Sequence, residues 1–477
     1  MNSEKFNEYF LKSYHYEPTK DQRWAIYVLS RFIFTQKPRP LFVLKGYAGT
    51  GKTSIVSTLV KLLPKIGQKA VLMAPTGRAA KVLGNYSGQK AYTIHKRIYF
   101  MQMGADGSTH LSLQSNKFRN AIFVVDEASM IHDNTGNEGG FSGRSLLDDL
   151  FQYVYSGDNC KLILIGDHAQ LPPVGSEDSP ALNMDWLRKS FNLTAGMSEM
   201  REVVRQARSS GILMNATSLR RKLELDHPVP PFFHLDDYKD ITQLPGYDMQ
   251  EWMETAFNSS DSEGNAVMIT RSNKRANRFN QEIRNRILFR ESKIDAGDRL
   301  MVVKNNYFWL GDNKESNFIA NGDMIEVLSL NGFDMAHGFN FANATIRMMD
   351  YPGMEPFDVM LMLDTLDSES PALTREQQNN LYNAFMQDLS YLDSRQKRLE
   401  TLRKNPLFNA LQVKFGYALT CHKTQGGQWK YVFVDQGYLT EDKVDSNYLR
   451  WLYTAITRAT EKLMLVNFKD EFFEDKA

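Results

Sequence analysis

The segment Gly46-Tyr47-Ala48-Gly49-Thr50-Gly51-Lys52-Thr53 constrains this chain more than any other, because it stands between an apolar run, Leu41-Phe42-Val43-Leu44, and a helix-length stretch from Ser54 to Leu63. A buried strand, a glycine-rich turn carrying a lysine, and then a helix make the pattern of a phosphate-binding loop. Glycines let successive backbone N–H groups close around phosphate oxygens, and the helix N-terminus adds a positive dipole. The pattern assigns Gly46, Ala48, Gly49, Thr50, Gly51, Lys52 and Thr53 to a nucleotide, with Lys52 on the β- and γ-phosphates and the Thr53 hydroxyl on Mg²⁺. ATP and Mg²⁺ are the expected cofactors.

Three more apolar runs follow the first: Ala70-Val71-Leu72-Met73, Ile122-Phe123-Val124-Val125 and Leu162-Ile163-Leu164-Ile165. Each is too continuous for a half-exposed alternating strand, so all four read as parallel strands buried on both faces. Separated by helix-length segments, they specify a doubly wound α/β domain whose ligands sit at the strands' carboxyl ends. Between the second and third runs, residues 98–120 read as an inserted hairpin around Gly104-Ala105-Asp106-Gly107. A second alternation of strand and helix starts near Val267 and resumes at Tyr431-Val432-Phe433-Val434, as though an α/β domain were split by an insertion. Within that insertion, 321–363 holds short β-like runs with glycine breaks that suit a small barrel. Residues 374–404 read as helical, with Thr374 and Gln377 forming a capping box. Its basic cluster (Arg395, Lys397, Arg398, Arg403, Lys404) is read first as a solvated face and second as a nucleic-acid contact.

Composition narrows the function. With 57 Lys and Arg against 56 Asp and Glu, the net charge is +1, so any polyanion must be held in a local groove and not by a basic body. Two cysteines, Cys160 and Cys421, are too few for a disulfide framework or a four-cysteine metal site, and a reducing cytoplasm fits best. The N-terminus has no basic-then-apolar signal pattern and no run approaches the length of a spanning helix, so a membrane is not expected.

The third run ends in Asp126-Glu127. A carboxylate at that position can hold Mg²⁺ through water, and its neighbour can orient and deprotonate an attacking water, so Asp126 is expected at the metal and Glu127 as general base. The fourth run ends in Gly166-Asp167-His168-Ala169-Gln170-Leu171-Pro172-Pro173-Val174, which puts Gln170 in reach of the γ-phosphate.

Taken together, Asp126-Glu127-Ala128-Ser129-Met130 and Gly166 to Val174 resemble superfamily 1B DNA helicases of the RecD-like and Dda-like type. The resemblance continues in order along residues 19–459. Thr19 and Gln22 look like the adenine-reading segment, with Gln22 as the contact. Ala74 to Lys81 and Thr93-Ile94-His95 are similar to two single-strand-contacting motifs. Glu199 to Gln206 resembles the motif that ends in Arg-Gln, with Met200-Arg201 standing where the family usually has Leu-Thr. Tyr417 to Gly426 matches the motif that couples nucleotide to DNA, and Tyr453 to Ala459 the last motif.

The resemblance implies two RecA-like parallel-sheet domains, with a hairpin inserted in the first and an SH3-like barrel plus a helical segment in the second. The expected boundaries are 1–190 for the first domain, 191–300 with 411–477 for the second, and 301–410 for the insertion. It also implies arginine fingers at Arg205 and Arg458 and DNA contacts at Pro75, Thr76, His95, Thr420, His422 and Lys423; the family uses a strand-separating pin in its first domain, and the 98–120 hairpin is the candidate for it, with Tyr99 or Phe100 either stacking on the last base pair or belonging to the local core. Both histidines also suit a structural role.

The activity so implied is ATP-driven translocation on single-stranded DNA, 5′-to-3′, with unwinding at single/double-strand junctions in repair or recombination. Two readings stay open: a RecD-like subunit with a nuclease or recombination partner, and an RNA-directed remodelling ATPase. A small-molecule phosphotransferase would leave two α/β halves unexplained.

Overall fold

A computed structural model describes residues 1–103, 109–133, 145–204, 209–225, 229–235, 238–258, 265–310, 318–351, 353–439 and 444–473, with the backbone alone at 101–103 and 109–111. The first sheet is formed by β1 (Pro40–Gly46), β2 (Lys69–Ala74), β3 (Ala91–Thr93), β6 (Ala121–Val125), β7 (Lys161–Gly166) and β8 (Thr194–Met200). Their order is β3-β2-β6-β7-β1-β8, and every pairing is parallel. The four apolar runs are its four central strands. Residues Leu41 to Leu44, Ile122 to Val125 and Leu162 to Ile165 are at most 1% exposed, because helices cover both faces. β8 extends this sheet past residue 190, and its half-exposed sequence, Thr-Ala-Gly-Met-Ser-Glu-Met, is that of an edge strand with little apolar signal.

Between β3 and β6, β4 (Tyr99–Met103) and β5 (Thr109–Leu113) pair antiparallel, so the 98–120 insertion is a hairpin. Its expected turn, Gly104 to Gly107, lies outside the described residues.

The second sheet has the order β16-β10-β17-β18-β9, again all parallel, from β9 (Ile241–Leu244), β10 (Ala266–Thr270), β16 (Ala418–Thr420), β17 (Trp429–Asp435) and β18 (Ala459–Val466). The chain leaves it after β10 to build a closed barrel of β11 (Arg299–Val302), β12 (Met324–Ala336), β13 (Phe339–Met348), β14 (Phe357–Met362) and β15 (Leu411–Phe415). The barrel therefore takes strands from both sides of the expected 301–410 insertion. Leu300 pairs with Phe415, and the return to the second sheet follows within three residues.

Inside the insertion, the Arg375–Asp388 helix has the capping box the sequence announced. Gln377 N donates to Thr374 Oγ1 at 3.2 Å and Thr374 N to Gln377 Oε1 at 2.9 Å. The basic cluster lies on the Arg395–Arg403 helix and at its C-cap, Lys404. There, Arg398 donates to the carbonyls of Leu392 and Ser390, a structural use of one of its cations.

Candidate nucleotide site and strand seam

The loop after β1 has the backbone its glycines predict. Gly49 and Gly51 take φ of +72° and +85°, and a Cβ at Gly51 would strike the Gln22 amide. Around the loop, Thr50 Oγ1 donates to Tyr47 O at 2.8 Å, and the Lys52 ammonium folds back onto the carbonyls of Gly46 and Tyr47 at 2.6 and 3.0 Å. Thr53, next along, is exposed at the helix start.

Gln22 is 1% exposed, its Oε1 accepts from Thr19 N at 3.0 Å, and its Nε2 donates to Thr50 O at 2.9 Å, so the amide braces the loop. The physical reason is local: Thr19 caps the Lys20–Ile33 helix, and the reciprocal box fixes Gln22 inward.

At the end of β6, Asp126 accepts from Glu127 N through Oδ1 at 2.9 Å and from the Tyr86 hydroxyl through Oδ2 at 2.5 Å. Glu127 adopts φ +52° and ψ +37°, a left-handed conformation costly for a residue with a Cβ, and such strain persists where the surroundings fix a side chain for use. Burial raises its carboxyl above the ordinary range, and Asp126 and Asp167 push the same way. Arg458 and Lys52 oppose them.

After β7, Gln170 is 5% exposed and its Oε1 has no hydrogen-bond partner, a polar atom awaiting one. Cradle, lysine, paired carboxylates and this orphaned oxygen fit a nucleoside triphosphate with Mg²⁺. Among the described residues no cluster of three His, Cys, Asp or Glu could itself hold a metal.

The second sheet meets the first at these same residues. Arg458, 4% exposed, is anchored to the carbonyls of Thr454 and Gly427 at 3.0 and 3.3 Å and brings Nη1 to 4.0 Å from Glu127 Oε1. The other expected finger, Arg205, lies outside the described residues. From the Ser446–Ile456 helix just before Arg458, Tyr453 accepts from Ala48 N at 2.8 Å and donates to Asp167 Oδ2 at 2.5 Å. Thr454 Oγ1 accepts from Leu171 N at 2.8 Å, and Gln425 Nε2 donates to Leu171 O at 2.7 Å, so both backbone groups of Leu171 are held from across the cleft. Tyr453, Thr454, Gln425 and Tyr86 carry no role in the sequence reading. The first three lie inside motifs whose order was visible, whereas nothing in the sequence marks Tyr86.

Of the expected strand contacts, Thr76 lies at a seam where the two α/β units meet. Thr76 caps the Gly77–Ser87 helix by accepting from Ala79 N at 3.2 Å, beside a half-buried Pro75. Gly426, at φ +72°, packs against Thr76 and Ala79, and the Arg78 guanidinium lies 4.0 Å from the centre of the Trp429 ring. Thr420 stands half-buried at the end of β16, followed by an exposed His422 and a Lys423 that burial and Lys414 push down to about 8. His95 is pushed down to about 4 by burial, with His132 adding, and so is neutral at physiological pH.

At the hairpin, the pair of aromatics separates. Tyr99 is 6% exposed and its hydroxyl donates to Asp149 Oδ2 at 2.7 Å, so it belongs to the core and its ring is not available for stacking, whereas Phe100 is 43% exposed.

Comparison with known proteins gives a consistent placement. A family model described as an AAA domain matches residues 33–224, and one described as a UvrD-like helicase C-terminal domain matches 415–466. An uncharacterised protein, R530, of Acanthamoeba polyphaga mimivirus is 23% identical over 93% of this chain and 98% of its own length. The ATP-dependent RecD2 DNA helicase of Deinococcus radiodurans is 24% identical over 88% of this chain and 46% of that protein. The ATP-dependent DNA helicase dda of phage T4 is 25% identical over 34% of each. The crystal structure of Pif1 helicase from Bacteroides in complex with ADP-AlF3 and ssDNA aligns over 97% of this chain and 95% of that one, at 15% identity and a TM-score of 0.47. Among the described residues no helix is long and apolar enough to cross a membrane. The two matched models lie on the two sheets that meet at Glu127 and Arg458, and with the helicase relatives they support a superfamily 1B helicase, an ATPase of the helicase class.

Proposed function

We propose that the chain hydrolyses ATP in the cleft between its two parallel sheets and uses the resulting motion to travel 5′-to-3′ along single-stranded DNA and open the duplex ahead. The chain matches less than half of RecD2 and about a third of Dda. The observation that most supports the reading is the approach of Arg458, from the second sheet, to Glu127 on the first, over a phosphate loop.

In this account the loop amides of residues 46–53 and Lys52 hold the phosphates, while Thr53 and Asp126 would hold Mg²⁺, which would neutralise phosphate charge. Glu127 takes a proton from the attacking water as its oxygen bonds to the γ-phosphorus, the bond to the β-bridging oxygen breaks, and ADP and phosphate leave. Gln170 orients that water or the γ-phosphate through its unpartnered Oε1. Arg458, joined by Arg205, neutralises the charge that builds on the γ-phosphoryl group, an effect worth about 10³–10⁵ in rate. Tyr453 couples Ala48 of the loop to Asp167 and to the second sheet, so a change in the nucleotide pulls on Thr454, Gln425 and the seam at Thr76. Opening and closing the cleft then moves one set of strand contacts against the other. Phe100 serves as the separating aromatic at the hairpin base.

The test is steady-state ATPase with and without single-stranded DNA, for the wild type and Glu127→Gln. Stimulation by DNA that the substitution abolishes supports the reading. Stimulation by RNA alone, or by neither, refutes it.

A further inference from the structure

The phosphate-loop pattern specifies Gly46, Gly51, Lys52 and Thr53 and leaves position 47 open, and here a tyrosine fills it. Tyr47 is 2% exposed, and it belongs to the hydrophobic cluster that includes Ile212, Ala216 and Leu219 of the Gly211–Leu223 helix with Val267 and Val432 of the second sheet. A side chain of the first domain's phosphate loop is therefore packed in the second domain's core.

Its polar contacts run to the same helix. The Arg220 guanidinium lies 4.2 Å from the centre of the Tyr47 ring, within cation–π range, and Nη1 of that arginine donates to Arg201 O at 2.9 Å. The Tyr47 hydroxyl donates at 3.3 Å to Oε1 of Glu224, the C-cap of the helix, and lies 2.8 Å from Nε2 of His168, two residues before Gln170. The chain that crosses from β8 to the helix is pinned to the loop as well. Val204 N donates to Gly49 O at 3.0 Å, and Asp21 Oδ2 accepts from Arg201 N and Glu202 N at 2.8 and 2.9 Å. On its backbone side, Tyr47 O accepts from Lys52 Nζ at 3.0 Å and from Thr50 Oγ1 at 2.8 Å. One residue thus has its ring held by the second domain and its carbonyl on the phosphate-binding lysine of the first.

We propose that Tyr47 is a positioning residue for ATP hydrolysis: the Gly211–Leu223 helix, through Arg220 and Glu224, sets the place of the Tyr47 side chain, and the Tyr47 carbonyl passes that setting to Lys52. The inference rests on hydrolysis at the interdomain cleft as read above. An arginine finger acts on the reacting phosphate from the second domain, whereas Tyr47 adjusts the first domain's own loop. Misplacing a reacting group by about 1 Å can cost on the order of 10²-fold in rate, so a small shift at residue 47 is measurable.

The experiment is steady-state ATP hydrolysis by the full chain at saturating single-stranded DNA, with kcat, the ATP KM and the unfolding temperature read for each variant. Arg220→Gln removes the cation and keeps most of the side chain's reach, and is expected to lower kcat about tenfold with the ATP KM within about threefold of wild type. Tyr47→Ala is expected to lower kcat about 30-fold, and Tyr47→Ala with Arg220→Gln to fall no further, because both substitutions break one link. Tyr47→Phe keeps the ring against Arg220 and loses only the hydroxyl's contacts, for a loss of about threefold. Arg220→Gln and Tyr47→Phe carry the test should Tyr47→Ala fail to fold. Folded variants with the wild-type kcat, or a double variant whose loss is the product of the two single losses, overturn the positioning role. A lowered unfolding temperature with kcat retained does the same and assigns Tyr47 to packing alone. A wild type without ATPase activity overturns the hydrolysis reading, and this inference with it.

Discussion

The two parallel sheets are built alike and equipped differently. Each orders its first five strands the same way, yet among the described residues only the first carries a glycine loop, a lysine and two carboxylates at its strand ends. The second contributes Arg458, Tyr453, Thr454 and Gln425, all of which reach across the cleft to the loop or to the first sheet's strand ends. Neither sheet alone holds a complete hydrolytic site. In the proposed account this division is what lets chemistry and relative motion be one event, because the stabilising arginine arrives only when the sheets meet.

The largest expected break in that partnership comes from Arg458→Ala, which removes the second sheet's cation. ATPase at saturating ATP and DNA should fall about 10³-fold or more with nucleotide affinity largely retained, and Arg458→Lys should recover little, since an ammonium cannot reproduce the guanidinium fork. Tyr453→Phe is the next largest. It deletes one hydroxyl that serves Ala48 N and Asp167 together, and leaving such buried groups unpaired costs about 1–3 kcal/mol, readable as a lower unfolding temperature and a roughly tenfold loss of ATPase.

Glu127 sharpens the comparison from the first sheet's side. Burial raises its carboxyl, so the base form is lost on acidification at a pH above the ordinary carboxylate range. The acid limb of kcat should fall about tenfold per pH unit there. A limb at ordinary carboxylate values would contradict the role.

How much of this was legible in the sequence depends on how local the signal is. Four continuous apolar runs mark β1, β2, β6 and β7, because strands buried on both faces need no alternation. The edge strand β8 and the short β15 escaped. Edge strands need little apolar material, and β15 has too few residues to separate it from the second sheet it soon rejoins. At the site, the phosphate loop, Asp126, Glu127 and Arg458 were readable as motifs, and the structure brings them together. The motif marks Gln22 as an adenine contact, and it does not report that a capping box also sets the amide against the loop. Tyr99 and Phe100 are adjacent and chemically alike, and only the position of Asp149, fifty residues on, decides that the first is core. The cross-cleft use of Tyr453 likewise depends on a partner 286 residues away.

Two smaller effects test the first domain's other attachments. Asp323, whose carboxyl is pushed up to about 8 by burial and by Asp350, packs against Gly77. The folded chain keeps that proton up to about pH 8 while the unfolded chain releases it near pH 4, so this contribution is full below about pH 4 and is lost as pH rises toward 8. Asp323→Asn should flatten the decline, raising stability near pH 8 by on the order of 1 kcal/mol relative to pH 5 in thermal unfolding. Smallest is Phe100→Ala, expected to lower duplex opening several-fold, within the ~1–3 kcal/mol of one stacking contact, with DNA-stimulated ATPase unchanged. Equal loss of both would remove its role as a separator.

The central claim is that two differently equipped sheets form one catalytic site when they meet. Its most direct measurement is single-turnover ATP hydrolysis on single-stranded DNA by the wild type and by Arg458→Ala, with nucleotide binding followed in parallel. The account predicts that the variant binds ATP but loses DNA-stimulated hydrolysis by about 10³-fold. An Arg458→Ala protein that still hydrolyses ATP at the DNA-stimulated wild-type rate would contradict it.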